Sequence, residues 1–239
     1  MTNAPHDQTR GDSTPYIEDG SSASLSLNEV ASLCMKAARG AGMSWGLAEE
    51  AGFAASWLVQ HGINGPSHLY AHLNQAQGRP WSDLCPMVTP GAWEAPVGRA
   101  LCPIALGATL CDYVGLPEGI QAGSSLKIGK VDHPILLIPF LAGIAVSQNI
   151  LFDIAWAGGA VHLDGGSEAL LKAATALDGQ QVPITLTARF GNPQAASARK
   201  VPSISAEVIS ALNTLAMRTT VPSSESSRSG AGSTTSDND

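Results

Sequence analysis

Residues 150–165, ILFDIAWAGGAVHLDG, are the stretch that decides the fold class. Apolar and polar side chains alternate on both sides of Gly158 and Gly159, which is the pattern of two antiparallel strands joined by a two-residue turn. Segments with helical spacing both precede and follow this hairpin along the chain. The sequence therefore predicts an α+β fold rather than an all-helical one.

The segments around the hairpin complete this prediction. On the carboxyl-terminal side, SEALLKAATALDG predicts a helix capped by Ser167, VPITLTARF predicts a strand, and SAEVISALNTLAMRT predicts a final helix. On the other side, the apolar run at residues 134–146 is too short to span a bilayer, which takes roughly 20 residues. We interpret it as a buried core element. Residues 100–114 fit a strand followed by a helical turn, although an apolar run of this kind also fits a buried helix.

The amino-terminal part carries the signals of three helices. Ser26 and Glu29 have the spacing of a capping box, so the first helix should begin at Leu27. Ser44 is a suitable N-cap for a second helix, and Pro66 fits the first turn of a third. Residues 25–80 are therefore predicted to form a three-helix unit that packs on a mixed α+β part containing the hairpin.

The domain boundaries follow from composition. Residues 1–24 are polar and predicted to form a disordered tail, and residues 222–239 form a flexible carboxyl-terminal tail by the same criterion. A single α+β domain is expected between them, over residues 25–221. Its two parts, the helical unit and an α+β part at 99–221, are joined by a proline-rich connector.

Charge and cysteine content exclude several classes of function. The net charge of −7 has the wrong sign for binding a nucleic acid backbone, and the chain has no run that could span a membrane. The four cysteines lie far apart and lack metal-binding or disulfide-scaffold spacing, which indicates reduced thiols and a cytoplasmic protein without a structural metal. The cysteines are Cys34, Cys85, Cys102 and Cys111.

The R-G-A-G sequence at residues 39–42 has two interpretations. Glycines before a helix can hold an anion, but here they follow a capped helix rather than a strand, which favours a simple helical joint. Arg39 lies near Trp45, Glu49 and Glu50 in sequence, so it could clamp an anionic ligand or pair with one of the glutamates to hold the helices together.

Histidines and one cysteine supply further candidates. His68 and His72 are four residues apart, on one face of the third predicted helix, which is the spacing of two metal ligands. No glutamate or third ligand accompanies them, so no metal is predicted. Cys102 could be a nucleophile, but no base is apparent nearby, and the default interpretation is a small buried hydrophobic residue.

The segment KIGKVDHP places ionisable groups directly before the most apolar run of the chain. Lys130, Asp132 and His133 would stand at the mouth of the core, where pKa values are often shifted. An aspartate beside a histidine can orient it for proton transfer, whereas Pro134 equally fits a rigid turn with no catalytic role. Both interpretations remain open.

The carboxyl-terminal tail contains Arg228 between a serine cluster and the G-A-G sequence at residues 230–232. Glycines would let this backbone lie close to the folded body, and Arg228 is predicted to meet a carboxylate near the cleft. A tail that stays disordered from Pro222 onwards is the alternative.

Three stretches together resemble the bacterial domain-of-unknown-function family three-seven-two-six. They are LSLNEVASLCMKAARGAGMSWGLAEEAG, SLKIGKVDHPILLIPFLAG and the tail VPSSESSRSGAGSTTSDND. The resemblance covers most of the chain from Leu25 onwards, but it implies no reaction, cofactor or catalytic residue. It gives added weight to six residues inside the matching stretches, which are Arg39, Trp45, Glu49, Asp132, His133 and Arg228.

Two hypotheses of function remain. In the first, the protein is an enzyme or binder of a small anionic metabolite, in a cleft between the two parts. Asp132 and His133 transfer protons, Glu49 or Glu50 acts as the base, and the ligand is bound by Arg39, Trp45, Lys130 and Arg228. In the second, the protein is a non-catalytic accessory subunit, in a homodimer or with another partner. Neither hypothesis names a cofactor.

Overall fold

The computed structural model of the protein describes residues 17–18, 22–194 and 196–219. Most of the predicted amino-terminal tail lies outside these residues. The predicted carboxyl-terminal tail, with Arg228, lies outside them entirely.

The amino-terminal part forms the three predicted helices. They are α1 (Leu27–Gly40), α2 (Trp45–Gln60) and α3 (Gly65–Ala76). The capping box of α1 is complete, because the Glu29 amide donates to the Ser26 hydroxyl at 3.3 Å and the Ser26 amide donates to the Glu29 carboxylate at 2.8 Å. Ser44 caps α2 as predicted, accepting from the Leu47 amide at 3.4 Å.

The strands form two sheets. The short strands β1 (Ile17–Glu18), β2 (Ser22–Ala23) and β9 (Ile204–Ser205) make one of them. The other is a mixed six-stranded sheet of β3 (Met87–Thr89), β4 (Ala92–Glu94), β5 (Ser125–Asp132), β6 (Ile150–Trp156), β7 (Gly159–Leu163) and β8 (Gln181–Phe190). Its strand order is β3-β4-β5-β8-β6-β7.

The predicted hairpin is confirmed as β6 and β7. Trp156 pairs with Gly159, so the two turn residues are Ala157 and Gly158, one position earlier than the sequence suggested. Together with the three helices of the amino-terminal part, this hairpin confirms the predicted α+β class and the arrangement of a helical unit followed by a mixed part.

The remaining helices are α4 (Pro103–Asp112), α5 (Ile138–Gln148), α6 (Ser167–Leu177) and α7 (Ala206–Ala216). The prediction of a strand at the start of residues 100–114 is wrong. Only Leu101 makes a β-bridge, to Val131, and α4 begins two residues later. Pro103 suits the first helical position, and burial on nearly every side removes the helical alternation that would have identified α4.

The cap of α6 also differs from the prediction. Ser167 is the first helical residue, and Gly166 occupies the N-cap position. The Asp164 carboxylate accepts from the Gly166 amide at 2.8 Å and so supplies the local hydrogen bond.

One hydrophobic cluster joins the helices to one face of the six-stranded sheet. On β5, Leu126 and Ile128 are buried towards the helices, whereas Lys127 between them is exposed on the other face. The helical unit reaches this core through α2, which packs against both α4 and α5. Among the described residues, no helix combines the length and the apolar character needed to cross a membrane.

A local feature of the sheet positions the candidate site. Leu101 runs parallel to β5, donating its amide to the Lys130 carbonyl at 2.7 Å and accepting from the Asp132 amide at 3.1 Å. Parallel segments bring their carboxyl ends to the same edge of a sheet. Cys102 and Asp132 therefore lie side by side where the two segments end.

Candidate functional site

Cys102, His72 and Asp132 form a hydrogen-bonded triad. The Nδ1–H of His72 donates to Asp132 Oδ2 at 2.6 Å, and His72 Nε2 lies 3.2 Å from Cys102 Sγ. Each nitrogen of the imidazole thus has one partner, a carboxylate on one side and a sulfur on the other. This is the arrangement of a nucleophile, a base and an orienting acid.

Three separate elements supply these side chains. His72 lies on the buried face of α3, between the core residues Leu69 and Leu73. Cys102 is the N-cap residue of α4, and its sulfur accepts a weak hydrogen bond from the Ala105 amide at 3.5 Å. Asp132 is the last residue of β5. The positive end of the α4 dipole therefore favours negative charge on the sulfur.

The triad is buried, and the charges within it determine the pKa of His72. Burial alone would lower this pKa, but interaction with the Cys102 sulfur and the hydrogen bond to Asp132 outweigh it and raise the pKa of His72 to about 9. At neutral pH the imidazole is therefore protonated on both nitrogens. A positive charge stands between two acceptors.

A segment of the connector covers the triad. The Trp81 ring meets His72 edge-on, with 6.0 Å between ring centres, and the Cys102 amide donates to the Leu84 carbonyl at 2.9 Å. Cys102 has no exposed surface. A molecule from solvent reaches the sulfur only when the covering residues move.

His133 lies beside the triad in an unusual conformation. Its φ of 43° is left-handed, which turns the chain sharply from β5 towards Pro134. Its Nε2 is 3.8 Å from Asp132 Oδ1, and its buried Nδ1 has no hydrogen-bond partner within the described part of the chain. Burial lowers the pKa of His133, although Asp132 opposes this shift, so the ring is neutral at pH 7. The side chains of Asp132 and His133, which the sequence marked as a proton-transfer pair, are therefore close to each other.

The predicted ligand residues Arg39 and Trp45 of the first helical joint contact each other. The Arg39 guanidinium stacks over Trp45, 5.1 Å from the ring centre, and donates to the Met43 carbonyl at 2.6 Å. Within the residues that the structure describes, it forms no ion pair with Glu49 or Glu50. These contacts hold the joint between α1 and α2, which is the structural interpretation of R-G-A-G.

Glu49 and Glu50 line a cavity of about 410 Å³ together with Cys111 and Asp112. Burial, followed by the nearby charges of Asp112 and Glu49, raises the pKa of Glu50. No hydrogen bond or ion pair within the described part of the chain connects either glutamate to the triad. Their predicted role as a general base stays a prediction.

The two histidines of α3 do not share a ligand. His68 Nδ1 lies 3.7 Å from Asp178 Oδ1, whereas both nitrogens of His72 are occupied within the triad. In the described ranges, no group of three or more His, Cys, Asp or Glu side chains is arranged to hold a metal ion.

Lys130 lines a cavity of about 610 Å³ on the exposed face of the sheet. Asp132 follows it by two residues on β5, so the cavity and the triad are close along the strand. Arg228, the remaining predicted ligand residue, lies outside the described residues.

Comparison with known proteins finds one family model that matches part of the chain. Residues 25–102 match the family described as Protein of unknown function (DUF3726). The resemblance inferred from the sequence is confirmed over these residues. The matched segment contains two members of the triad, His72 and Cys102, and ends before Asp132. No curated protein and no solved structure matches the chain.

Each member of the triad is prominent in the sequence for a different reason. His72 has the spacing of a metal pair with His68, Asp132 is next to His133, and Cys102 fits either a nucleophile or a small buried hydrophobic residue. The separations of 30 residues between His72 and Cys102 and 60 between His72 and Asp132 leave no local pattern. Only Pro103, which favours a helix start directly after Cys102, was a usable signal.

Proposed function

We propose that the protein is an enzyme that acts on a small anionic metabolite and uses Cys102 as the nucleophile of an acyl-transfer or hydrolytic reaction. The observation that carries this proposal is the continuous contact from Cys102 Sγ through His72 to Asp132, at 3.2 and 2.6 Å. A cysteine attacks as its thiolate, and an adjacent histidine is the usual group that takes its proton.

In the first half of the reaction, the Cys102 thiolate attacks the carbonyl carbon of an ester, thioester or amide. A carbon–sulfur bond forms, and the carbonyl electron pair moves to oxygen. When this intermediate collapses, the bond to the leaving group breaks, and His72 transfers its Nε2 proton to that group. The products of this half are a thioester on Cys102 and a neutral His72.

In the second half, water attacks the thioester while His72 Nε2 takes a proton from it. The carbon–sulfur bond then breaks, which releases a carboxylic acid product and restores the Cys102 thiolate and protonated His72. An acceptor hydroxyl or amine can take the place of water, so the same residues support hydrolysis and transfer alike.

The other contacts have definite roles in this scheme. Asp132 holds the imidazole through Nδ1–H and stabilises its positive charge. The Ile104 amide, in the first turn of α4, lacks a carbonyl partner within the helix and is the proposed donor to the oxyanion. His133, with its unpartnered Nδ1, is a candidate for contacting the substrate. The roles predicted for Arg39, Trp45, Glu49 and Glu50 are independent of this triad.

The proposal is tested with p-nitrophenyl acetate, a small ester whose phenolate product is coloured. Wild-type protein should release a rapid burst of about one equivalent of p-nitrophenolate per chain, since acylation precedes slower hydrolysis. Cys102→Ala should lose the burst, and His72→Asn should slow it by about 100-fold or more. Cys111→Ala removes an exposed thiol and is the matched control.

Folding of each variant is verified by circular dichroism, and Cys102→Ser preserves shape where alanine perturbs the core. A burst of equal size in wild type and folded Cys102→Ala or Cys102→Ser would contradict the proposal.

The alternative of a non-catalytic accessory subunit has one observation in its favour. An apolar cleft of about 450 Å³ lies between α2 and α5, and its lining includes Phe53 and Val146, which are 44% and 68% exposed. Exposed apolar side chains of this size are typical of protein contacts. Under this alternative the burst is absent, and Val146→Asp changes the oligomeric mass measured by light scattering.

A further inference from the structure

We infer that the cavity on the exposed face of the six-stranded sheet is a binding site for an organic polyanion, held by Arg99, Lys127 and Lys130. This binding site goes beyond the proposed function, and binding there does not require catalysis at Cys102. The ligand chemistry is a group with two or more negative charges, either a phosphate or paired carboxylates.

The sheet brings the two lysines to the same face by an irregularity. Residues three apart on a regular strand point to opposite faces. On β5 the pairing changes from Ile128–Ile184 to Lys130–Pro183, so that Gly129 is an extra residue in a bulge. A bulge re-aims the side chains that follow it. Lys130 consequently joins Lys127 in lining the cavity.

The floor of the cavity is formed by short side chains. Lys127, Thr185 and Ala155 are paired across adjacent strands and therefore share the exposed face. The short side chains of Thr185 and Ala155, with Gly129, leave an open volume of about 610 Å³ between the longer residues around them. This volume suits a small metabolite.

The charges in the cavity are predominantly positive, although the whole chain carries −7. Three cationic side chains and one acidic side chain, Glu94, line it. Arg99 is 3.8 Å from Asp83, a long contact between partly exposed groups. Within the described residues, Lys127 and Lys130 form no ion pair. A concave site with unpaired cations attracts anions more strongly than an isolated surface lysine.

The cavity is also close to the triad along two segments of chain. Arg99 precedes Cys102 by three residues, and Lys130 precedes Asp132 by two. At about 3.3 Å per extended residue, these steps correspond to roughly 7–10 Å. None of the three triad residues lines the cavity, so anion binding there is a property separate from the reaction at Cys102.

The test is isothermal titration calorimetry at low salt, with pyrophosphate and citrate as probes. Both wild type and Cys102→Ala are titrated, so that binding is measured without turnover. At least one probe should bind, and Lys127→Gln/Lys130→Gln should weaken that binding by about tenfold or more. Lys36→Gln, an exposed lysine of α1 outside the cavity, is the matched control and should change binding less than twofold.

Tighter binding of pyrophosphate would identify a phosphate site, and tighter binding of citrate a carboxylate site; either supports the inference. Absence of binding by both probes would overturn it, as would an equal loss in Lys36→Gln. These outcomes are independent of the ester burst. If the burst is absent but the anion binds, only the proposed reaction is contradicted. If the burst is present but neither probe binds, only the anion site is contradicted.

Discussion

Nε2 of His72 lies 3.2 Å from Sγ of Cys102, although 30 residues separate them along the chain. The same imidazole binds the Asp132 carboxylate through its other nitrogen, so a helix, a helix start and a strand end meet at one ring. The proposed reactivity of this contact can be examined by chemical labelling as well as by catalysis.

Alkylation should distinguish Cys102 from Cys34 and Cys111. Burial, followed by the charges of Glu50 and Asp112, raises the pKa of Cys111 to about 11, and burial raises that of Cys34 to about 12, so both thiols are poor nucleophiles at pH 7. We expect iodoacetamide to modify Cys102 first, once its cover opens, and His72→Asn to slow that modification by about tenfold or more. Peptide mass spectrometry gives the rate at each site. Faster labelling of Cys111 than of Cys102 in wild type would argue against an activated thiol.

Stability should fall at alkaline pH because of His72. Its pKa rises from an ordinary value of 6.5 to about 9 on folding, so its stabilising contribution is complete below about pH 6.5 and lost as the pH passes 9. The melting temperature should therefore decrease between about pH 6 and about pH 9.5, and decrease less in Cys102→Ala, which lacks the sulfur that raises this pKa. Cys111→Ala should retain the wild-type slope. Parallel slopes in wild type and Cys102→Ala would contradict this origin.

Gly40 is required where α1 meets α7. A Cβ at this position would lie 1.8 Å from the Leu215 carbonyl oxygen, a backbone atom that cannot rotate away. Gly40→Ala should reduce the free energy of unfolding by more than about 2 kcal/mol in urea denaturation. Gly46→Ala, on an exposed helical position with no atom within 4 Å, should instead raise it by up to about 1 kcal/mol. Equal effects of the two substitutions would show that helix propensity, not packing, controls the result.

The ion pair between Arg189 and Asp153, on the exposed face of the sheet, should contribute little to the free energy of unfolding. Arg189 donates from Nε and Nη2 to Asp153 at 2.6 and 2.8 Å, and His162 lies 2.7 Å from the same carboxylate. Partial burial by itself would raise the pKa of Asp153, but the contacts with Arg189 and His162 outweigh it and lower that pKa. Because the pair is partly solvated, Arg189→Gln should cost at most about 1 kcal/mol near neutral pH.

This contribution should disappear in acid. The Asp153 pKa is depressed below its ordinary 3.8, so the stabilisation is present above that pH and lost as the pH falls through the folded-state pKa. Chemical denaturation of wild type and Arg189→Gln should converge in strong acid, with Arg218→Gln as an exposed-arginine control. A difference that persists after the carboxylate is protonated would assign the effect to packing by the arginine stem.

The sequence by itself determined the elements that depend on neighbouring residues. The capping box of Ser26 and Glu29 closes over three residues, and the β6–β7 hairpin follows from alternation around a short turn. Such signals are local because the hydrogen bonds that create them are local. The tertiary structure decided what is buried from all sides. Residues 103–112 form a helix, but residues 103–107 are all buried, so this apolar run shows no periodicity that would have identified it as a helix rather than a strand.

The candidate site divides in the same way. Lys130, Asp132 and His133 stood out from the sequence, because charged residues beside a strongly apolar run are unusual. Which partners these residues contact depends on segments that are distant in sequence. His72 reaches Asp132 across 60 residues, and one extra residue at Gly129 determines which face of the sheet Lys130 occupies. A sequence specifies side-chain chemistry at each position, but which groups share a hydrogen bond or a cavity depends on packing that is settled only when the whole chain has folded.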